Sequence, residues 1–436
     1  MLLKSLSIRG LYRTLSLDVK FNEEFTLLVG INGSGKTSVL NVVDWLLRPD
    51  LQRLALVRYD SLLLRFVEDG VGYELTAKKS PEKVTFSIGG TPKPLEPITI
   101  LLRPSTEEDD ENAEELYQGL SPEKHEIPMW ELLKSFSKPT VISLDRTVSA
   151  ESEEVYYAEV RSGLIRRRAP SRSPVAHVQA VTSSRYAEFR AKAIANDNEL
   201  KASIVMSALQ DPGLAFRGRT IKPMTPEKIT QLEEKVSTYL SATIKSADVH
   251  EQVQRFFSAS REFSKRQDHP KGQRDLIFDF VAAQYRQIES LAKAFNNFEK
   301  KNALAFKSLN EYLVSVNRFF NDSEKELFFD ESTGKLAFTS RNAPKDGRAA
   351  KSVAYLSSGE RQILVLFTFL AFASSPRGVF IVDEPELSLH PKWQSEFMDA
   401  FLKLRPEGTQ LVLATHSPDI VGKYKANCFA LRGRKS

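Results

Sequence analysis

The 436-residue sequence contains very little cysteine: Cys428 is the only one. A single thiol excludes an internal disulfide framework and any zinc site built on cysteines. The sequence also lacks an uninterrupted apolar run long enough to span a membrane, and its amino terminus shows no signal-peptide pattern. From these absences we expect a cytoplasmic protein that has no membrane partner.

The sequence also lacks a strong excess of charge of either sign. Its 61 Lys and Arg against 56 Asp and Glu leave a net charge of +5, which permits nucleic-acid binding without indicating it. One basic cluster could follow a phosphate backbone, and a solvated loop or a protein-docking patch would explain it equally well. DNA binding therefore stays open. The cluster consists of Arg161, Arg166, Arg167, Arg168 and Arg172.

The hydrophobic pattern divides the chain into three segments. Residues 1–175 contain short β-prone runs and one strong helical pattern, with antiparallel strands expected from residue 52 to about 102. Residues 176–322 are rich in Ala, Glu, Lys, Gln and Leu with apolar residues at helical spacing, which predicts a helical insertion that could form a short coiled coil. Residues 323–436 return to alternating strands and helices. An α/β fold follows from this order.

A phosphate-binding loop is indicated at Gly30–Thr37, which reads GINGSGKT and fits the pattern G-x-x-x-x-G-K-[ST]. It follows the apolar strand Phe25–Val29 and precedes a helix, where backbone N–H groups can wrap around a phosphate. We expect Lys36 to reach the β- and γ-phosphates and Thr37 to ligate Mg²⁺. The candidate cofactor-binding residues here are Asn32, Gly33, Ser34, Gly35, Lys36, Thr37 and Ser38.

Two carboxylates end another strongly apolar strand, Val379–Val382. In this position Asp383 would complete the Mg²⁺ shell together with Thr37. The next carboxylate, Glu384, could act as the general base that orients and deprotonates an attacking water.

Two further segments carry weaker signals when taken alone. Leu356–Gln362 reads LSSGERQ and opens a helix, so its N–H groups could meet an anion or simply form an ordinary helix cap. His416 follows the strand Gln410–Ala414, at the edge where α/β proteins bind ligands, although a histidine there can also be structural. We take His416 as the second candidate catalytic residue.

The four segments, in this order, resemble the head of an ABC-type ATPase: Walker A, LSSGE signature, VFIVDE Walker B and switch histidine. The long insertion between the first two is similar to that of the SMC/RecF/OLD branch. Within this branch, DEPELSLHP and ATHSP resemble OLD-like and stand-alone defence ATPases. His390 stands where transporter-type members usually have the D-loop aspartate.

The resemblance implies a P-loop NTPase fold, an ABC-type ATPase head with an α-helical insertion, and ATP and Mg²⁺ as cofactors. Residues 1–175 and 323–436 would be the two lobes of the head, on either side of the insertion. The heads would self-associate with ATP between them, so that Ser358 and Gly359 contact the γ-phosphate of the other copy. The candidate nucleotide contacts in the signature are Ser357, Ser358, Gly359 and Glu360.

At the level of function, the resemblance points to the ATPase subunit of an anti-phage defence system of PARIS or Septu type. Its nucleotide state would control head dimerisation and a separate effector, a nuclease or toxin. We expect no nuclease activity in this chain, because the sequence shows no His-Asn-His motif and no Toprim-like region after His416. The alternative is a RecF-like ATPase of DNA repair that binds DNA directly.

Overall fold

The computed structural model describes residues 1–102, 122–143, 148–149, 173–209, 225–243, 247–265, 274–340 and 350–431. The basic cluster between Arg161 and Arg172 lies outside the described residues. The chain divides into two compact units, one formed by Met1–Arg185 with Glu311–Ser436 and the other by Tyr186–Asn310.

Strands and helices alternate through the first unit, and helices make up the second. The strands are β1 (Leu2–Leu11), β2 (Leu15–Lys20), β3 (Phe25–Val29), β4 (Ser61–Glu68), β5 (Val71–Lys79), β6 (Lys83–Gly89), β7 (Ile98–Leu101), β8 (Thr140–Ile142), β9 (Val148–Ser149), β10 (Lys325–Phe329), β11 (Leu336–Ser340), β12 (Lys351–Ser352), β13 (Val379–Asp383), β14 (Gln410–Thr415) and β15 (Cys428–Ala430). The helices are α1 (Lys36–Leu47), α2 (Leu51–Leu56), α3 (Ile127–Ser135), α4 (Pro174–Leu209), α5 (Pro226–Thr243), α6 (Ala247–Lys265), α7 (Arg274–Phe320), α8 (Ser358–Phe372), α9 (Pro391–Leu404) and α10 (Pro418–Val421).

A mostly parallel sheet positions the candidate site. Its strand order is β15-β3-β14-β13-β8-β9, and only the β8–β9 pair is antiparallel. Strands β13 and β14 are buried along their whole length, which is why they read as continuous apolar runs. Asp383 pairs with Ala414, and Thr415 pairs with Val29. The carboxyl ends of β3, β14 and β13 therefore meet at one edge of the sheet.

A second, antiparallel sheet, β2-β1-β4-β5-β6-β7, covers one side of this core. On β4 the buried residues Leu62, Leu64 and Phe66 alternate with more exposed ones, as expected for a sheet with one buried face. The turn between β4 and β5 has left-handed backbone at Asp69 and Gly70, which suits a tight hairpin.

The interior of the first unit is continuous from the antiparallel sheet to the parallel one. Val43 of α1 belongs to the same buried cluster as Leu64, Ile381 and Val412. An aromatic layer also packs on the parallel sheet: Phe380 of β13 lies 6.0 Å from Phe401, measured between ring centroids.

One predicted element is wrong. Residues 51–56, most of which we expected to begin the strand region, form the short helix α2. The Asp50 side chain accepts a hydrogen bond from the backbone N–H of Arg53 at 2.9 Å, which caps the helix. The buried residues Leu51, Leu54 and Ala55 share one helical face. A six-residue apolar run does not distinguish helix from strand by periodicity, so local capping decided the outcome.

The second unit has its own core, to which α4, α5, α6 and α7 contribute. Its buried side chains are Leu200, Ile229, Leu232, Val236, Phe257, Ile288 and Phe295. Its boundaries, at Tyr186 and Asn310, fall inside α4 and α7 rather than at helix ends. The predicted α/β fold with a helical insertion is confirmed. Among the described residues, no helix is both long enough and apolar enough to cross a membrane.

Candidate active site

The loop Gly30–Thr37 connects β3 to α1 at the edge where the central strands end. Gly33 and Gly35 have φ values of 78° and 93°, a backbone conformation that other residues rarely adopt. Gly35 also caps α1, and a Cβ atom there would lie 2.8 Å from a methyl group of Leu15. Glycine is therefore required for this loop to curve tightly into the helix.

Lys36 supplies a buried positive charge inside the loop. The residue is 5% exposed, and its Nζ donates to the carbonyl oxygens of Gly30 at 3.0 Å and Ile31 at 3.3 Å. An ammonium group carries three N–H donors, so these two bonds leave a donor for a phosphate oxygen. The cation is thus held in place by the loop.

Asp383 and Thr37 meet at the end of the loop. The carboxylate of Asp383 is only 6% exposed, and its Oδ1 makes no hydrogen bond within the described part of the chain. Burial, aided by the nearby charges of Glu384 and Glu386, raises the pKa of Asp383, while the neighbouring Thr37 hydroxyl and Lys36 oppose the shift.

These two side chains fit a magnesium ion. A hydroxyl oxygen beside an unpartnered buried carboxylate oxygen is the hard oxygen donor set that Mg²⁺ prefers. Within the described residues no group of three or more His, Cys, Asp and Glu side chains could hold a metal ion. The remaining ligands would be phosphate oxygens and water, which is the usual arrangement for Mg²⁺ with a nucleotide.

Glu384 and His416 lie beside this pair. Glu384 has a φ of 46°, an uncommon conformation for a residue with a side chain, and its backbone N–H donates to Ala414 at 2.9 Å. The Glu384 side chain is largely buried, and its Oε1 lies 3.8 Å from Nδ1 of His416. The two candidate catalytic residues are therefore neighbours.

Glu386 is a residue that our sequence reasoning missed. It is 5% exposed, and its Oε1 accepts hydrogen bonds from the Thr415 hydroxyl at 2.7 Å and from the backbone N–H groups of His416 and Ser417 at 2.7 and 3.2 Å. The sequence signal that could have indicated Glu386 is its position as the last acid of the DEPE run. Its contacts depend on the pairing of β13 with β14, which the sequence does not show.

The signature segment forms the start of α8. Ser357 caps the helix, because its hydroxyl accepts from the N–H of Glu360 at 3.4 Å and its own N–H donates to the Glu360 carboxylate at 2.7 Å, a capping box. Ser358 is exposed. A Cβ atom on Gly359 would lie 2.6 Å from the Ser388 carbonyl oxygen, so this glycine permits close contact with the loop that follows β13.

The predicted nucleotide contact at Glu360 needs correction. This residue is 2% exposed, and its carboxylate accepts from Lys325 at 2.8 Å and from Ser323 at 2.6 Å. Burial alone would raise the pKa of Glu360, but the bonds from Lys325, Ser323 and Ser357 outweigh burial and lower it. Glu360 is used inside the head to anchor α8, because a charged group this deeply buried needs partners.

The other candidates in the phosphate-binding loop differ in exposure. Asn32 and Gly33 are exposed, whereas Ser38 is half-buried in the first turn of α1. Ser34 is buried, and its hydroxyl has no hydrogen-bond partner among the described residues. A Cβ atom on Gly30 would lie 2.5 Å from that hydroxyl. The loop is therefore tightly packed on its inner side and open on its outer side.

Comparisons with known proteins agree with this geometry. Residues 25–422 match the family described as "AAA domain, putative AbiEii toxin, Type IV TA system". The chain is 25% identical over 264 residues to "Retron Vc95 probable ATPase" of Vibrio cholerae serotype O1 biovar El Tor. The aligned residues cover 54% of this chain and 50% of that protein. It is also 25% identical over 154 residues to the energy-coupling factor transporter ATP-binding protein EcfA3 of Oenococcus oeni, covering 31% of this chain and 52% of that one.

Among solved structures, the chain matches the Smc head domain with an extended coiled coil from Pyrococcus furiosus. The match has 12% identity and a TM-score of 0.39, and covers 99% of this chain and 94% of that one. The chain spans about half the length of the retron and EcfA3 relatives. The family match, by contrast, includes nearly all of this chain and every segment of the site. The chain therefore belongs to this AAA-domain family and has a P-loop NTPase fold of the ABC/AAA type.

Proposed function

We propose that the chain hydrolyses Mg-ATP at a site shared by two copies, and that the nucleotide state controls their pairing. The observation that carries this proposal is the strand pairing that brings Asp383, at the end of β13, to the same sheet edge as the phosphate-binding loop after β3. Lys36 lies in the same loop, and the side chain of Glu384 follows Asp383 directly. One cluster thus offers a phosphate cation, oxygen ligands for a metal and a general base.

In this proposal each residue of the cluster has one role. Thr37 and Asp383 hold Mg²⁺, which neutralises charge on the phosphate oxygens when bound. Lys36 binds the β- and γ-phosphates through charge-assisted hydrogen bonds. Glu384 accepts a proton from the attacking water, and His416 contacts the γ-phosphate from the end of the neighbouring strand.

Two exposed apolar side chains support pairing of the heads. Ile31 and Tyr355 are 81% and 79% exposed, the highest values among the large hydrophobic side chains described. Ile31 lies in the phosphate-binding loop, and Tyr355 lies three residues before Ser358. Single exposed apolar side chains are common, so the support comes from their positions, in the two segments that pairing of the heads would bring together. We infer that ATP on one copy meets Ser358 and Gly359 of the other, which would cover both side chains.

A mixing experiment tests the shared site. Ser358→Arg places a bulky cation on the signature, and Lys36→Ala removes the phosphate cation, so we expect neither variant alone to turn over ATP well. A mixed dimer contains one site with both segments intact. Turnover per verified mixed dimer should recover to at most about half of the parent's, because one of its two sites is intact.

The control replaces the Ser358→Arg partner with a chain that carries both substitutions. Mixing that double variant with Lys36→Ala creates no intact site, so turnover should stay at the background level. Verified mixed dimers that show no recovery would contradict the shared site.

We further propose that the chain is the ATPase subunit of a bacterial anti-phage defence system, of PARIS or Septu type, and that a separate nuclease or toxin is its effector. The similarity to a protein named as a retron ATPase supports this role. The absence of a metal-binding acid or histidine cluster from the described residues supports placing the effector on another chain. The second unit, Tyr186–Asn310, offers a surface that nucleotide chemistry does not need, and a stable protein–protein contact takes roughly 800 Å² of each partner.

A nicking assay tests this assignment. We expect the purified protein, incubated with Mg²⁺ or Mn²⁺, ATP and plasmid, to hydrolyse ATP and leave the DNA intact. The product of the neighbouring gene should co-purify with it and be lost when part of 186–310 is deleted. Metal-dependent nicking that a point substitution outside the ATP cluster abolishes would place the nuclease in this chain.

A further inference from the structure

One buried oxygen atom accepts several hydrogen bonds from the start of the loop that follows β14. Oε1 of Glu386 accepts from the Thr415 hydroxyl and from two successive backbone N–H groups, those of His416 and Ser417, within 2.7–3.2 Å. The same oxygen lies 3.1 Å from Nδ1 of His416. Glu386 therefore contacts both the backbone and the ring of the histidine.

Packing alone does not fix this ring. The His416 side chain is 44% exposed and borders a cavity of about 370 Å³, which Leu387, Ser388 and Gln394 also line. Because the ring is half-exposed and borders this cavity, its polar contacts can select its rotamer.

Burying the Glu386 carboxylate costs free energy, which argues against a purely structural role for this residue. Its Oε2 is also buried and has no hydrogen-bond partner among the described residues. A carboxylate left partly unsatisfied costs free energy that an apolar side chain would not. Groups of this kind concentrate at functional sites.

The position of the His416 ring indicates what Glu386 does. Nδ1 is closer to Glu386, at 3.1 Å, than to Glu384, at 3.8 Å. An acid at Nδ1 fixes the ring orientation and leaves Nε2 as the nitrogen that faces a ligand.

We propose that Glu386 is the positioning residue for His416: it holds the loop and directs Nε2 towards the γ-phosphate. This inference rests on the proposed ATP hydrolysis, since it assigns the source of the histidine's orientation in that reaction. The charge of Glu386 also bears on the pKa of Asp383, so the test compares Glu386→Gln in the presence and in the absence of the His416 ring.

A double-mutant cycle separates this role from a structural one. Glu386→Gln keeps the shape and an acceptor oxygen but removes the charge at Nδ1. We expect kcat to fall by roughly 10- to 100-fold, the usual loss for such a supporting partner, while the KM for ATP and the melting temperature stay near the parent's. In a His416→Ala background the same substitution should leave kcat unchanged. The matched control is Glu396→Gln. Glu396 lies on α9, where it pairs with Arg318, and its substitution should leave kcat unchanged.

Two results would overturn the inference. One is a Glu386→Gln variant with the parent's kcat, and the other is a Glu386→Gln substitution that lowers kcat by the same factor in the His416→Ala background as in the parent. If the parent itself fails to hydrolyse ATP, the proposed function is wrong, and amide hydrogen exchange decides the inference separately. In Glu386→Ala the N–H group of His416 should then exchange roughly tenfold faster or more, while Leu413 within β14 keeps its protection. Unchanged exchange at His416 would contradict the anchoring.

Discussion

Replacing Lys36 by Ala should weaken the binding of Mg-ATP by roughly 30- to 150-fold. The ammonium group is buried and already oriented by the carbonyl oxygens of Gly30 and Ile31, so no ordering cost accompanies its contact with a phosphate. Hydrogen bonds to charged groups contribute about 1.5–3 kcal/mol, and a loss of about 2–3 kcal/mol corresponds to that change in Kd. Titration calorimetry measures it directly.

Lys20→Ala is the matched control for this variant. Lys20 ends β2 in the same unit and is exposed, so its removal changes the net charge equally without touching the loop. Its Kd for Mg-ATP should equal the parent's. An unchanged Kd in a folded Lys36→Ala variant would show that the phosphates bind elsewhere.

Glu384→Gln should reduce ATP turnover by roughly 10²- to 10⁴-fold, the scale of losing a general base. The amide has the same shape but does not accept a proton from water at neutral pH. Thr37, Asp383 and Lys36 are untouched, so the Kd for Mg-ATP should stay near the parent's. Single-turnover hydrolysis measured beside the Kd separates these two effects.

The control here is Glu396→Gln on α9, where the carboxylate pairs with Arg318 at 2.8 Å and remains partly exposed. We expect that variant to hydrolyse ATP at the parent's rate. Parental turnover in Glu384→Gln would mean that another group takes the proton, and Asp383 would be next to examine because burial raises its pKa.

The parts of the site that depend on neighbouring residues in the chain could be predicted from sequence. The loop Gly30–Thr37 needs glycines for its backbone angles, and the flanking strand and helix follow from local patterns. The parallel strands β13 and β14 were recognisable because burial on both faces requires continuous apolar runs. Local chemistry was enough for these elements.

Contacts between distant segments explain what the sequence did not show. Glu360 and Glu386 are both glutamates beside a motif, yet Glu360 is paired with Lys325 on β10, and Glu386 holds the loop after β14. Only strand pairing reveals which partner each carboxylate meets. The helix at residues 51–56 was missed for a different reason, since the Asp50 cap outweighed an ambiguous apolar run.

ATP-dependent pairing of two copies is the central claim, and the mass of Glu384→Gln in solution tests it most directly. Sedimentation should show one copy without nucleotide and two copies with Mg-ATP, because this variant retains the nucleotide that joins the heads. The same variant carrying Ser358→Arg should bind Mg-ATP and stay as one copy. A single-copy mass for Glu384→Gln saturated with Mg-ATP would contradict the account.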